Sequence, residues 1–221
     1  MNDARATATN DKPWFDRLAH DLRGPLTSLQ TAAYLLRTDP GGPNSRELAD
    51  IVVRQSQRMA RMIEELDDWG RAQQGRLVDR AERVELDATL DMALASMHGL
   101  SAEPEYANDA RDLVVQGDSA RLAQLFRTLL QNAQARDASG VRVLVSRSNG
   151  SAQVLFCDNG PALDAAQRAH LLQAPQVPSP DEGLGLRLLI AKAIVEGHAG
   201  VLDVAPEHES LCIRCTFPIA E

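Results

Sequence analysis

The chain has 221 residues and a formal net charge of −8, and 44% of its residues are hydrophobic. This charge argues against nucleic acid as the main partner, and no apolar run is long enough to span a bilayer. Residues 1–13, which we predict to be a flexible tail, lack the apolar segment of a secretion signal. We therefore expect a cytoplasmic protein, either complete or the soluble end of a longer one.

Two amphipathic helices are predicted in the first third of the chain. Apolar residues recur in steps of three and four over residues 15–36 and again over 48–69. The segment 38–45 between them is rich in proline and glycine, which predicts a turn, and Ser45 is the expected N-cap of the second helix. A lone hairpin cannot cover its own apolar stripe, so we expect two copies to pair as a four-helix bundle.

The first predicted helix contains the segment FDRLAHDLRGPL, in which His20 directly precedes Asp21. Imidazole is a nucleophile at neutral pH, and a carboxylate that holds one ring nitrogen leaves the other free to attack. His20 falls off the apolar stripe and should face solvent. Pro25 removes a backbone hydrogen bond, so we expect a bend just past the histidine, and Gly24 weakens the helix there. Taken alone, such a pair is more often an ordinary surface pair on a helical bundle.

From residue 76 onward the pattern is mixed. It predicts helices over 84–97, 119–138, 163–172 and 186–198, and strands over 112–118, 141–147, 153–158, 201–204 and 209–219. Because helices and strands segregate, we expect a two-layer α/β sandwich, and the whole chain to be of the α+β class.

Three features of this second part suit a nucleotide. Asn132 lies on an amphipathic helix, and its amide oxygen could complete the shell of a phosphate-bound Mg²⁺. Asp158 ends an apolar strand, where a carboxylate can accept a hydrogen bond from an adenine amino group, and Gly160 lets backbone approach the base. The segment Gly183, Leu184, Gly185 precedes a helix, and such turns bind phosphates. Each signal is weak alone, because Asp-Asn-Gly is also a common turn and Gly-Leu-Gly is also a common helix start.

The cysteines indicate no metal or redox site. Cys212 and Cys215 form a Cys-x-x-Cys, but they lie on a predicted strand and should point to opposite faces of the sheet. No second pair of ligands at zinc spacing accompanies them. The third cysteine is Cys157.

These segments together resemble a sensor histidine kinase of bacterial two-component systems, over about residues 14–219. The segment FDRLAHDLRGPLTSL resembles the phosphoacceptor box, DSARLAQLFRTLLQNA the asparagine box, DNG the first glycine box, and EGLGLRLLIAKAIVEGHAG the second. The resemblance implies a dimerisation and phosphoacceptor hairpin over 14–75 and a Bergerat-type ATP-binding domain over 76–221.

The resemblance also implies an activity and a set of site residues. His20 would accept a phosphoryl group from Mg-ATP, with Asp21 as the adjacent acidic residue, and an aspartate of a response regulator would then receive it. A homodimer and an upstream sensor protein are further implied partners. The residues implied to hold the nucleotide are Asn132, which is also the magnesium ligand, Arg136, Asp158, Gly160, Gly183, Leu184 and Gly185.

The chain departs from the family pattern at several positions. Gly24 stands where the family usually has threonine or asparagine, a residue tied to phosphatase action. Thr128 replaces the first asparagine of its box, Arg136 is offset by one residue from the family's basic position, and Asp181 replaces a glycine. These changes keep an alternative open, a non-catalytic phosphotransfer or scaffold protein with a degenerate nucleotide site. A serine kinase or ATPase on the same nucleotide fold is a third interpretation, against which His20 argues.

Overall fold

The computed structural model describes residues 12–100, 102–107, 110–136, 140–176, 183–205 and 210–220. Most of the predicted tail and Asp181 lie outside the described residues. The chain divides into two compact units, which are described separately below. The first comprises residues up to Asp67 together with Gln176–Gly185, and the second comprises Asp68–Pro175 and Leu186–Glu221.

The first unit contains the predicted helical hairpin up to Asp67 of its second helix. Helix α1 covers Lys12–Thr38, and helix α2 begins at Ser45 and ends at Gln73. Ser45 is the first residue of α2 and not its N-cap, because the carbonyl of Asn44 already accepts the first helical hydrogen bond, from Leu48. The Ser45 hydroxyl instead donates to the carbonyl of Gly42 in the preceding turn.

Part of the apolar surface of this hairpin faces outward. Ala32 and Met62 are buried within the unit, whereas a set of larger apolar side chains on both helices is more than two-fifths exposed: Leu26, Tyr34, Leu35, Val53 and Ile63. Several exposed large apolar side chains on neighbouring helices are typical of a surface that binds another protein segment. Within the described ranges, no helix combines the length and the apolar character that a bilayer crossing requires.

The second unit contains the remaining four helices and seven strands of the described chain. In order they are β1 (Glu82–Glu85), α3 (Leu86–Ala95), β2 (Pro104–Tyr106), β3 (Val114–Gly117), α4 (Ser119–Ala135), β4 (Val141–Ser148), β5 (Ser151–Asp158), α5 (Ala165–Leu171), α6 (Arg187–Gly197), β6 (Val201–Val204) and β7 (Cys212–Pro218). Asp118 caps α4 by accepting a hydrogen bond from the backbone of Arg121.

Five of these strands form one sheet in the order β2-β4-β5-β7-β6, and β1 pairs with β3 separately. All neighbours in the large sheet are antiparallel except β2 and β4. The predicted hairpin between β4 and β5 is confirmed: Asn149 and Gly150 both have positive φ, at 50° and 75°, as a two-residue turn with the twist of the strands requires.

A helical layer covers one face of the sheet, which confirms the predicted α/β sandwich. Helix α4 packs against α3, α6 and β5. Its apolar stripe is almost completely buried, and the Phe126 and Phe156 rings lie 5.8 Å apart between helix and sheet. The packing of α4 on β5 positions the C-terminal end of α4 and the end of β5 within the same unit.

Two short strands were not predicted. The predicted helix 84–97 begins two residues later, at Leu86, because Val84 and Glu85 pair with β3 as part of β1. Strand β2 is three residues long and starts at a proline, which fits its position at the edge of the sheet.

Candidate functional site

His20 is a solvent-facing imidazole next to a carboxylate. Its side chain on α1 is 83% exposed, and its Nδ1 lies 3.4 Å from Oδ1 of Asp21. With the ring proton on Nδ1, this nitrogen donates to Asp21 and the lone pair of Nε2 points away from the carboxylate. A ring held in this form can attack an electrophile with Nε2.

Pro25 lies inside a continuous helix. Helix α1 runs through Pro25, which is buried. Since proline has no N–H, the carbonyl of Asp21, four residues earlier, receives no helical hydrogen bond from position 25. A Cβ added at Gly24 would meet no atom within 4 Å, so no packing in the described chain requires glycine there.

Asp158 is a buried carboxylate at the end of β5. Only 2% of the residue is exposed. Its Oδ1 accepts the backbone N–H of Gly160 at 2.9 Å, and its Oδ2 accepts Nε of Arg136 at 2.6 Å. A Cβ on Gly160 would lie 2.8 Å from the Arg136 carbonyl oxygen, so this approach of two backbone segments requires glycine.

Arg136, at the C-terminal end of α4, is engaged by this same cluster. Besides Asp158, its guanidinium donates from Nη2 to the carbonyl of Pro161 at 2.5 Å. The resemblance led us to expect Arg136 at the nucleotide, and that role remains a prediction. The Arg136–Asp158 pair could not be predicted from the sequence, because the two residues are 22 positions apart and no local pattern relates them.

Asn132 and Thr128 lie on successive turns of α4. Both are half-buried, while Leu129, Leu130 and Ala133 on the other face are buried in the core. This orientation follows from the apolar stripe of the helix. It leaves the Asn132 amide at the boundary of the core, where an oxygen ligand for a cation is accessible.

The glycine turn, residues 183–185, belongs to the first unit. Gly185 has a φ of +77° and passes so close to Gln176 that a Cβ would lie 2.0 Å from the Gln176 carbonyl oxygen. The backbone N–H of Leu184 donates to Oε2 of Glu65 on α2 at 2.8 Å. Sequence reasoning did not identify Glu65, since it follows Glu64 on a charged helix.

The cysteines show one pairing that was not predicted. Cys157 and Cys212 face each other across β5 and β7 and form a disulfide. Cys215 points to the opposite face, as expected, and is buried, and burial together with Asp203 raises the pKa of its thiol. The disulfide lies one residue before Asp158, whose backbone N–H donates to Leu211.

The predicted site residues therefore fall into groups within each unit. The second unit brings Arg136, Asp158 and Gly160 into direct contact, with Asn132 one turn before Arg136. The first unit holds the His20–Asp21 pair on α1 and, separately, the glycine turn on Glu65.

Two family models match the chain. The His Kinase A (phospho-acceptor) domain matches residues 14–75, and the histidine kinase-, DNA gyrase B-, and HSP90-like ATPase matches residues 117–221. The first contains His20, and the second contains the groups at Asp158 and at the glycine turn. The second match assigns this part of the chain to an ATP-binding domain family.

Curated relatives are similar to most of the chain. The sensor histidine kinase ZraS of Escherichia coli K12 is 29% identical over 197 residues, which are 86% of this chain and 41% of the relative. The signal transduction histidine-protein kinase/phosphatase MprB of Mycobacterium sp. strain KMS is 30% identical over 202 residues, which are 84% and 38%. The chain thus spans about two fifths of the length of these relatives.

Solved structures share the fold. The histidine kinase AdeS of Acinetobacter baumannii superposes with a TM-score of 0.71 at 17% identity, over 91% of this chain and 98% of that one. The histidine kinase ThkA, solved in complex with the response regulator protein TrrA, gives a TM-score of 0.74 at 16% identity, over 95% and 62%. Both domain matches and the curated relatives agree with the motifs, and the chain belongs to the histidine kinases of two-component systems.

Proposed function

We propose that this chain is an ATP-dependent protein-histidine kinase that phosphorylates His20 and passes the phosphoryl group to an aspartate of a response regulator receiver domain. The observation that carries the proposal is the solvent-facing His20 ring with its Nδ1 directed at Asp21. An exposed nucleophile is what a phosphoryl donor and a partner protein must both reach.

In the first step, Nε2 of His20 attacks the γ-phosphorus of ATP. A P–N bond forms, the bond from the γ-phosphorus to the bridging oxygen breaks, and ADP leaves with that oxygen. The imidazole ring then carries a positive charge, and its Nδ1 proton passes to the Asp21 carboxylate. Before the attack, a hydrogen bond from Nδ1 to Oδ1 of Asp21, which lie 3.4 Å apart, would hold the ring in the reactive form.

In the second step, a carboxylate oxygen of the regulator aspartate attacks the same phosphorus. The P–N bond breaks, its electron pair returns to Nε2, and Nδ1 regains its proton from Asp21. Asp21 therefore ends the cycle ionised, as it began. The exposure of His20 suits this step because a receiver domain must approach it directly.

Seven residues are proposed to hold the nucleotide. The Asp158 carboxylate would accept a hydrogen bond from the adenine amino group, since each of its oxygens has a second lone pair beyond those used by Gly160 and Arg136. The glycine turn would offer backbone N–H groups to the phosphates. The full set is Asn132, Arg136, Asp158, Gly160, Gly183, Leu184 and Gly185.

A magnesium ion fits the residues present. Mg²⁺ usually keeps several waters and binds through substrate phosphates with one or two protein oxygens, and the half-buried amide of Asn132 is such an oxygen. When bound, the ion would neutralise charge on the phosphates. No cluster of three His, Cys, Asp or Glu side chains that could hold a metal occurs among the described residues, and a phosphate-bound ion needs none.

The proposed working form is a homodimer in the cytoplasm, where ATP is available. The exposed apolar side chains of α1 and α2 support it, because a second hairpin would cover them as a four-helix bundle. An upstream sensor protein is a further proposed partner.

Incubation with γ-labelled ATP and Mg²⁺ tests the proposal. We expect label that is stable to base and labile to acid, lost in His20→Ala and retained in His98→Ala, which removes an exposed imidazole elsewhere. Nucleotide binding without label would instead support the scaffold alternative, and no binding would support pure phosphotransfer.

A further inference from the structure

Glu65 is a buried carboxylate to which the proposed chemistry gives no role. It is 7% exposed, whereas its neighbour Glu64 on α2 is exposed. Burying a carboxylate is unfavourable unless hydrogen bonds replace its hydration. The hydrogen bonds that Glu65 makes are therefore informative about its surroundings.

One partner of Glu65 is the glycine turn. The Leu184 backbone N–H donates to Oε2 of Glu65 at 2.8 Å, and a Cβ on Gly183 would lie 2.0 Å from Oε1. Only a residue without a side chain lets the carboxylate lie against the backbone at this point. Glu65 thus places an anion against the main chain of Gly183 and Leu184.

A backbone turn that accepts a carboxylate is equally able to accept a phosphate. Both ligands are oxyanions, and both are held by main-chain N–H groups in charge-assisted hydrogen bonds. We propose that Glu65 is an internal anion that occupies the phosphate-binding position of the glycine turn, so that nucleotide phosphates must displace it. This inference rests on the proposed function, in which the same turn binds ATP.

The consequence is a kinase whose nucleotide affinity depends on its hairpin. A protein with only a fraction of its molecules competent to bind shows an affinity reduced by that fraction. Glu65 lies on α2, in the same hairpin as His20. Any partner that shifts α2 and withdraws Glu65 would therefore raise the affinity for ATP, which couples the hairpin to the nucleotide through one carboxylate.

The test compares Glu65→Ala with wild type in the full chain, by titration calorimetry with ATP, ADP and adenosine. Competition for the phosphate position predicts that Glu65→Ala binds ATP and ADP about tenfold more tightly and binds adenosine with unchanged affinity. Glu64→Ala is the matched control, because it removes an adjacent exposed charge and should leave all three affinities unchanged.

The possible outcomes distinguish failure of the Glu65 inference from failure of the proposed function. Equal ATP affinity in wild type and Glu65→Ala, or weaker binding in the variant, overturns the inference alone. A gain that extends equally to adenosine also overturns it, because the phosphates would not be the groups displaced. No ATP binding by either protein contradicts the proposed function itself.

A second variant keeps the proposal testable if Glu65→Ala fails to fold. Glu65→Gln keeps the size of the side chain and an oxygen that can accept from Leu184, but it removes the charge. It should bind ATP about threefold more tightly than wild type, with thermal unfolding unchanged. If a folded Glu65→Gln binds ATP as wild type does, competition between anions is excluded.

Discussion

Arg136 donates from Nε to Oδ2 of Asp158 at 2.6 Å, with the carboxylate 2% exposed and the guanidinium 17% exposed. Arg136, which the family resemblance assigns to nucleotide binding, thus contacts Asp158, the residue proposed to recognise adenine. A side chain that orients Asp158 contributes to adenine binding without touching a phosphate.

Arg136→Ala should therefore weaken adenosine and ATP binding by the same factor, because the change disturbs the base contact. It should also lower the free energy of unfolding by about 3–5 kcal/mol, the usual cost of leaving a buried charge without its partner. Calorimetric titration with both ligands, alongside urea unfolding, measures the two effects. A loss confined to ATP would show that Arg136 contacts phosphate instead.

His198 connects the end of α6 with the start of α4 through hydrogen bonds. Its Nε2 accepts the backbone N–H of Asp118 at 2.9 Å, its Nδ1 lies 2.7 Å from the Ile194 carbonyl, and it is 5% exposed. The two bonds require a neutral ring with its proton on Nδ1. Asp118 is also the N-cap of α4, the helix that carries Asn132.

We expect His198→Ala to cost ~1–3 kcal/mol in unfolding free energy for the unsatisfied Asp118 N–H, with a further loss from the cavity. Urea denaturation followed by circular dichroism gives the value. His170→Ala, which removes an exposed imidazole, is the control and should be neutral. Equal stability of the two variants would mean that the His198 bonds contribute nothing net.

Gly24 and Gly75 form a matched pair of glycines with open space around them. Chain neighbours and the helix's own backbone aside, neither would bring a Cβ within 4 Å of another atom, but Gly75 has a φ of +64° whereas Gly24 lies inside α1. Gly75→Ala should lower the unfolding free energy by ~1 kcal/mol through backbone strain. For Gly24→Ala the gain in helix propensity is opposed by the clash of the added Cβ with the ring of Pro25, the next residue, so its net effect should be smaller.

Thermal unfolding of the two variants checks this pair, and Gly75→Ala should unfold at a lower temperature than both wild type and Gly24→Ala. A Gly75→Ala protein as stable as wild type would show that the positive φ at position 75 carries no strain.

The Cys157–Cys212 disulfide closes a separation of 55 residues between β5 and β7. Without reductant, thiol titration should count one cysteine, Cys215, and only after denaturation, because this thiol is buried and its pKa is raised. Cys157→Ser under the same conditions should lose ~2–4 kcal/mol of unfolding free energy. Three titratable thiols in the untreated, denatured protein would contradict the pairing.

The sequence predicted most of the fold because its signals are local. Helices α1, α2 and α4 follow from apolar residues in steps of three and four, and the β4–β5 hairpin follows from Asn149-Gly150. Strand β1 was not predicted because Val84 continues the helical pattern of α3, and only pairing with β3 makes it extended.

Single sequence motifs predicted individual residues of the candidate site, but not which of these residues lie close together. His20, Asp158 and Gly185 stand in recognisable segments, but their neighbours in space are set by packing. Arg136 meets Asp158 because α4 and β5 end side by side, and Glu65 meets Leu184 across 119 residues. No sequence pattern encodes such contacts, and the same holds for the Cys157–Cys212 register.

The most direct test of the central claim is to locate the phosphoryl group after incubation with Mg-ATP. Tryptic digestion at neutral to basic pH should release residues 18–23, a peptide with a single histidine, His20, and no hydroxyl side chain. Mass spectrometry should find this peptide carrying one phosphoryl group, and Asp21→Asn should reduce its yield. Phosphate found only on other peptides, or an unmodified 18–23 peptide at full ATP occupancy, would contradict the account.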